Sequence, residues 1–73
     1  MIVLDLSGLK CPLPVLRTRK ALRGLNPGDQ LQVICTDPLA AIDVPNLVRE
    51  TGDILMNQQQ NNAQTTFLIR KVG

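Results

Sequence analysis

Apolar positions along this chain change their spacing from two to three or four and back again, and the changes mark out its elements. Ile2, Leu4 and Leu6 alternate with Val3 and Asp5, the period of a strand, and Ser7-Gly8 ends the run. The spacing then becomes helical: Val15, Thr18, Leu22 and Leu25 form a stripe flanked by Leu16 and Ala21, with Gly24 as the stop. Cys11 falls where the N-cap of this helix is expected, with Pro12 at the first helical position, where a missing N–H is harmless. Asn26-Pro27-Gly28-Asp29 reads as a turn, and alternation returns over residues 30–36, with Leu31, Val33 and Cys35 on one side and Gln32, Ile34 and Thr36 on the other.

Asp37-Pro38 opens a second helical stretch, which runs through Leu47, Val48 and Thr51 to Gly52; Pro45 predicts a break or fresh start near Val44. Residues 53–59 and 64–71 read as two strands joined by a Gln60-Asn61-Asn62-Ala63 turn. The first strand, helix and second strand make a parallel βαβ unit with a right-handed crossover. The whole order is βαβαββ, an α+β fold: a two-layer α/β sandwich with a four-stranded mixed sheet and both helices on one face. Sites in such sheets lie beyond the carboxyl ends of parallel strands, so the segments carrying Cys11 and Asp37 are expected to share one edge.

Length and composition narrow the chemistry. At 73 residues the chain is read as a single domain, 1–73, in the size range that buries only about 60% of its unfolded surface. With 44% hydrophobic residues it is not a disordered composition. No basic segment followed by an apolar run opens it, and no stretch is long enough to cross a bilayer, so a cytoplasmic protein with free thiols and no membrane insertion is expected. The absence of His removes Ser-His and Cys-His catalysis within one chain, and two cysteines without His do not make the usual zinc site. The acids Asp5, Asp29, Asp37, Asp43, Glu50 and Asp53 are scattered along the sequence. No metal and no cofactor are expected. A single Phe, without Trp or Tyr, leaves no platform for stacking bases, which argues against direct nucleic-acid binding.

The net charge of +2 hides an uneven distribution. Lys10, Arg17, Arg19, Lys20 and Arg23 cluster around the first helix, with no acid between Asp5 and Asp29. The bland reading is a solvated face; the functional one is a docking surface for an acidic partner, or a field that favours an anion near Cys11.

Cys11-Pro12-Leu13-Pro14 is the candidate chemistry. Pro14 stands where a resolving cysteine would complete Cys-x-x-Cys, so this thiol cannot close on its neighbour and is suited to carrying a group. The helix N-terminus and Lys10 are expected to favour a thiolate, although Pro12 and Pro14 remove two amide donors. The competing view is a buried structural cysteine ahead of a helix. Cys35 has the pattern of a core residue on its strand; the sharper alternative is a second thiol that receives sulfur from Cys11 or forms a disulfide with it.

Asp5-x-x-Gly8-x-x-Cys11-Pro12-x-Pro14, followed by Asp37-Pro38 and Asp43-Val44-Pro45, resembles the TusA (SirA-like) family of small sulfur carriers and sulfurtransferases over essentially the whole chain. The resemblance implies a βαβαββ fold and a persulfide on Cys11. It also implies a sulfur donor, either a cysteine desulfurase or a rhodanese, and an acceptor protein in tRNA thiolation, cofactor assembly or sulfur oxidation. It makes the chain a persulfide carrier rather than a stand-alone enzyme, and a monomer satisfies the scheme. Asp5, Gly8, Lys10, Pro12 and Pro14 are then the supporting loop, Leu13, Arg17 and Lys20 the docking positions, and Asp37 and Pro38 a second loop in which Asp37 caps the following helix. Leu13 departs from the tRNA-thiolation members, which commonly carry an acid there. A regulatory, protein-binding or RNA-binding module with an incidental cysteine is the alternative.

Overall fold

The computed structural model describes residues 2–73. Its elements are β1 (Ile2–Leu6), α1 (Leu13–Arg23), β2 (Gln30–Cys35), α2 (Ala40–Thr51), β3 (Ile54–Asn61) and β4 (Gln64–Arg70). They form one four-stranded sheet in the order β1-β2-β4-β3. β1 runs parallel to β2, while β4 is antiparallel to both β2 and β3. The expected α+β architecture is the one observed.

Alternation decides which side chains meet the helices. Leu6, Leu31, Val33, Cys35, Phe67 and Ile69 face inward and pack with Leu22 of α1 and Ala40, Val44 and Val48 of α2 in one buried cluster. Phe67, at 0% exposure, is the largest of them. Fully burying a side chain of this kind stabilises by about 1.5–3 kcal/mol, so this single layer between helices and sheet holds most of the fold's cohesion.

Four local expectations need correction. First, α1 begins later than the Pro12 signal implies: Pro12 is the N-cap, Leu13 is the first helical residue, and Cys11 lies outside the helix. Its buried stripe is Pro14, Thr18 and Leu22, a strict four-residue spacing, with Val15 and Leu25 only half-buried. Thr18 is tolerated there because its Oγ1 donates to the Pro14 carbonyl at 2.7 Å.

Second, Pro45 does not break α2, which is continuous from Ala40 to Thr51. A proline at this position frees the Ala41 carbonyl, four residues back, and the Gln58 side-chain amide reaches it from β3 at 3.4 Å. Third, β3 extends to Asn61, so only Asn62 and Ala63 turn the chain, with Asn62 in the left-handed region at φ 57°. An irregularity between Leu55 and Asn57 resets the alternation of this edge strand. Fourth, Asp53 and Lys71 lie outside the strands expected to contain them. Asp53 is buried instead, accepting from Thr51 Oγ1 at 2.7 Å and from the Val72 amide at 2.9 Å, which fastens the C-terminal segment beside the end of α2.

Candidate functional site

The parallel pairing of β1 with β2 ends at Leu6 and Cys35, so the segments that follow both strands leave from the same edge of the sheet. Ser7 and Gly8 leave β1 in a tight turn closed by the Leu9 amide on the Leu6 carbonyl at 3.1 Å. Gly8 has φ +83°, a conformation that costs an L side chain roughly 1–2 kcal/mol. Asp5 shapes the same turn, accepting from Ser7 Oγ at 2.6 Å and from the Ser7 amide at 3.0 Å. The Ser7 hydroxyl first, and its amide second, hold the Asp5 carboxyl below its usual range.

Two hydrogen bonds lock the β1–α1 segment to the β2–α2 segment. The Gly8 amide donates to Thr36 Oγ1 at 2.8 Å, and the Cys11 amide donates to Asp37 Oδ2. The other Asp37 oxygen accepts the Leu39 amide at 3.1 Å. Asp37 therefore lies two residues ahead of the N-cap of α2, which is Leu39, and its expected capping role is replaced by a bridge between segments. Pro38 follows it on the exposed side of the turn.

Cys11 is exposed and sits on a ridge between two clefts. One, of about 370 Å³, is walled by Gly8, Leu9, Lys10, Thr36, Asp37 and Leu39. The other, of about 330 Å³, is a groove between the helices walled by Val15, Arg19, Asp43, Asn46 and Glu50. Cys11 Sγ–H points toward Asp43 Oδ2, 3.6 Å away.

This geometry corrects the electrostatic expectation for the sulfur. The Cys11 thiol is pushed up from its ordinary value by desolvation first, then by its hydrogen bond to Asp43 and by the negative charges of Asp43 and Asp37. The helix end offers little against this. Cys11 precedes the N-cap, the prolines offer no N–H, the Leu13 amide is taken by the Lys10 carbonyl at 2.9 Å, and the Leu16 amide by the Pro12 carbonyl at 3.2 Å. Acids that are scattered in sequence converge in space on the thiol.

The remaining candidates fall into two groups. Lys10 lines the first cleft, while Leu13, 41% exposed, stands at the start of α1. Arg17 and Lys20 are exposed on α1 and wall neither cleft. Arg19, which sequence reasoning placed only among the basic residues of the first helix, does wall the groove and pairs with Glu50 at 3.3 Å. Asp43 was visible as part of a motif, but no role was legible for it because nothing in the local pattern reports which residue of α1 or its preceding segment it will face. Cys35 is fully buried, and burial first, then Asp37, pushes its thiol up to about 11. Both cysteines are free.

A small α+β layer protein with an exposed, rigidly held thiol beyond its parallel strands is the class that this fold and site define. The solved structure of a SirA-like protein from Desulfitobacterium hafniense has the same fold, with a TM-score of 0.86, 24% identity and complete coverage of both chains. A family model described as sulfurtransferase TusA matches residues 2–71, and the chain belongs to that family. It is 43% identical to the sulfur carrier protein TusA of Allochromatium vinosum over 68 residues, which cover 93% of this chain and 90% of that one. It is 40% identical to a putative sulfur carrier protein of Neisseria meningitidis over 67 residues, covering 92% and 90%. Among the described residues no helix is long and apolar enough to cross a membrane.

Proposed function

We propose that this chain is a sulfur carrier in which Cys11 bears the sulfur as a persulfide. The Cys11 thiolate attacks the terminal sulfur of a donor persulfide; a bond forms between that sulfur and Sγ, the donor's S–S bond breaks, and the donor departs as a thiol with the proton that Cys11 gave up. The transferred sulfur keeps its oxidation state, so no oxidant or reductant is consumed. An acceptor thiolate then repeats the exchange, and Cys11 becomes the leaving group.

The observation that supports this assignment most is the contrast between the two thiols. Cys11 is exposed on a ridge that other proteins can reach, with its backbone amide clamped by Asp37, whereas Cys35 is sealed in the core. Cys35 is assigned to packing. Gly8, Asp5, Pro12 and Pro14 shape the segment that presents the sulfur, and Lys10 supplies a nearby positive charge. Leu13, Arg17 and Lys20 form the docking surface for the donor, a cysteine desulfurase or a rhodanese, and for the acceptor protein. Residues 1–73 act as one carrier domain in the cytoplasm, where thiols stay reduced.

Intact mass spectrometry tests the assignment after incubation with a cysteine desulfurase and cysteine, or a rhodanese and thiosulfate. The wild type and Cys35→Ser are expected to gain one sulfur, and Cys11→Ser none. An adduct that persists in Cys11→Ser overturns the role given to Cys11.

A further inference from the structure

The two clefts beside Cys11 differ in the charge they would present to a sulfur anion. Five charged groups face the residue: Lys10 from the β1–α1 segment, Asp37 from the β2–α2 segment, Arg19 from α1, and Asp43 and Glu50 from α2. Arg19 is matched by Glu50 at 3.3 Å. Asp37 has one oxygen on the Cys11 amide and the other on the Leu39 amide. Among the described residues no cation pairs with Asp43, whose Oδ2 faces the Cys11 Sγ–H at 3.6 Å.

Ionising the empty thiol sets a negative sulfur against the Asp43 carboxylate. Loading changes where the charge lies. In a persulfide Sγ becomes an uncharged bridging sulfur, and the anion moves to the terminal sulfur, about 2.05 Å further out. In the groove between the helices that anion meets the uncompensated charge of Asp43, beside the matched pair of Arg19 and Glu50. In the other cleft it meets Lys10, whose positive charge offsets that of Asp37, between the apolar walls of Leu9 and Leu39.

We propose that Asp43 is a positioning residue, which keeps unloaded Cys11 as a thiol and turns the terminal sulfur of the loaded carrier out of the helix groove into the cleft beside Lys10. This rests on the persulfide chemistry assigned to Cys11 above. The charge on the sulfur then reports its load: neutral when empty, anionic when carrying sulfur. The weakened acidity of the empty thiol agrees with the first half of this assignment.

The test is the pH dependence of alkylation by iodoacetamide, read by mass spectrometry, on the full chain before and after loading with glutathione persulfide. Wild type is compared with Asp43→Asn and Lys10→Met. Asp43→Asn is expected to lower the alkylation midpoint of the empty thiol while leaving that of the persulfide nearly unmoved. Each unit of downward shift raises the thiolate fraction below the midpoint about tenfold. Lys10→Met is expected to raise the persulfide midpoint more than the thiol midpoint.

An unmoved thiol midpoint in Asp43→Asn overturns the protonation role. Equal shifts of thiol and persulfide in that variant overturn the direction assigned to the terminal sulfur, as does a persulfide midpoint indifferent to Lys10→Met. Failure of wild-type Cys11 to take up sulfur overturns the carrier reading and the assigned direction together; the empty-thiol midpoint still reads Asp43 separately.

Discussion

Asp37 holds Cys11 by its backbone: Oδ2 accepts the Cys11 amide while Oδ1 accepts the Leu39 amide at 3.1 Å. One carboxylate thereby ties the segment after β1 to the segment after β2 and fixes the direction in which the thiol leaves the chain. Its own charge works against the thiolate, as does that of Asp43. The site favours placement of the sulfur over strong activation of it.

Removing that tie is expected to loosen the site before it unfolds the protein. Asp37→Ala should lower stability in urea by about 1–2 kcal/mol, the low end for hydrogen bonds to a charged group because the bridge is exposed. Sulfur loading should fall by a larger factor than alkylation of the thiol, since alkylation needs no docking geometry. Loading and alkylation rates that fall together, or loading at the wild-type rate, would show that the bridge does not position the thiol for transfer.

Gly8 offers a test of the turn itself. A Cβ at this position meets no heavy atom within 4 Å, so the cost of Gly8→Ala is conformational and arises from φ +83°. Thermal unfolding should show a loss of roughly 1–2 kcal/mol. If the turn relaxes to escape the strain, the Gly8 amide leaves Thr36, and sulfur loading should slow. Undiminished stability would mean that the turn adopts another conformation in solution.

Alkaline pH should weaken the fold through Cys35. Its folded-state value is raised from 9.0 to about 11, so between these pH values the folded state retains a proton that the unfolded state has lost. The stability contribution is intact below about 9 and declines as pH rises toward about 11. Urea titrations in a Cys11→Ser background should show this decline, and adding Cys35→Ala should flatten it while lowering stability at every pH. A slope that survives Cys35→Ala would place the titrating group elsewhere.

Charge reversal on α1 separates docking from chemistry. Arg17 and Lys20 are exposed and wall neither cleft, so Arg17→Glu combined with Lys20→Glu should slow loading from a cysteine desulfurase while leaving loading from glutathione persulfide near the wild-type rate. The defect should be largest in low salt and shrink in high salt, which screens the docking field, and an equal loss with both donors would assign these residues to the fold instead.

The pattern of apolar positions was sufficient for the elements whose environment is set locally. Leu4 and Leu6, and Leu31, Val33 and Cys35, read as strand positions because their face of the sheet meets the core, and the pleat translates that into alternation, although Ile2 at the start of β1 is exposed. Pro45 misled because a proline reports the loss of its own N–H but not the distant group that compensates for it. Here the compensating group is the Gln58 amide on the Ala41 carbonyl. Likewise, Pro12 at the N-cap instead of the first helical position displaced Cys11 by one residue, enough to move the sulfur off the helix end.

The order of elements, the inward face of β2, the Cys-Pro-Leu-Pro segment ahead of the first helix and the core character of Cys35 were legible in the chain alone, because each follows from short-range periodicity or from a residue's own chemistry. The acids that face Cys11 and the partition of its surroundings into a cleft beside Lys10 and a groove beside Asp43 came only with the three-dimensional arrangement. Those depend on α2 laying its first turn against the segment that precedes α1, with Asp43 standing 32 positions after Cys11. Charges interact through space, and a linear pattern carries no measure of that distance.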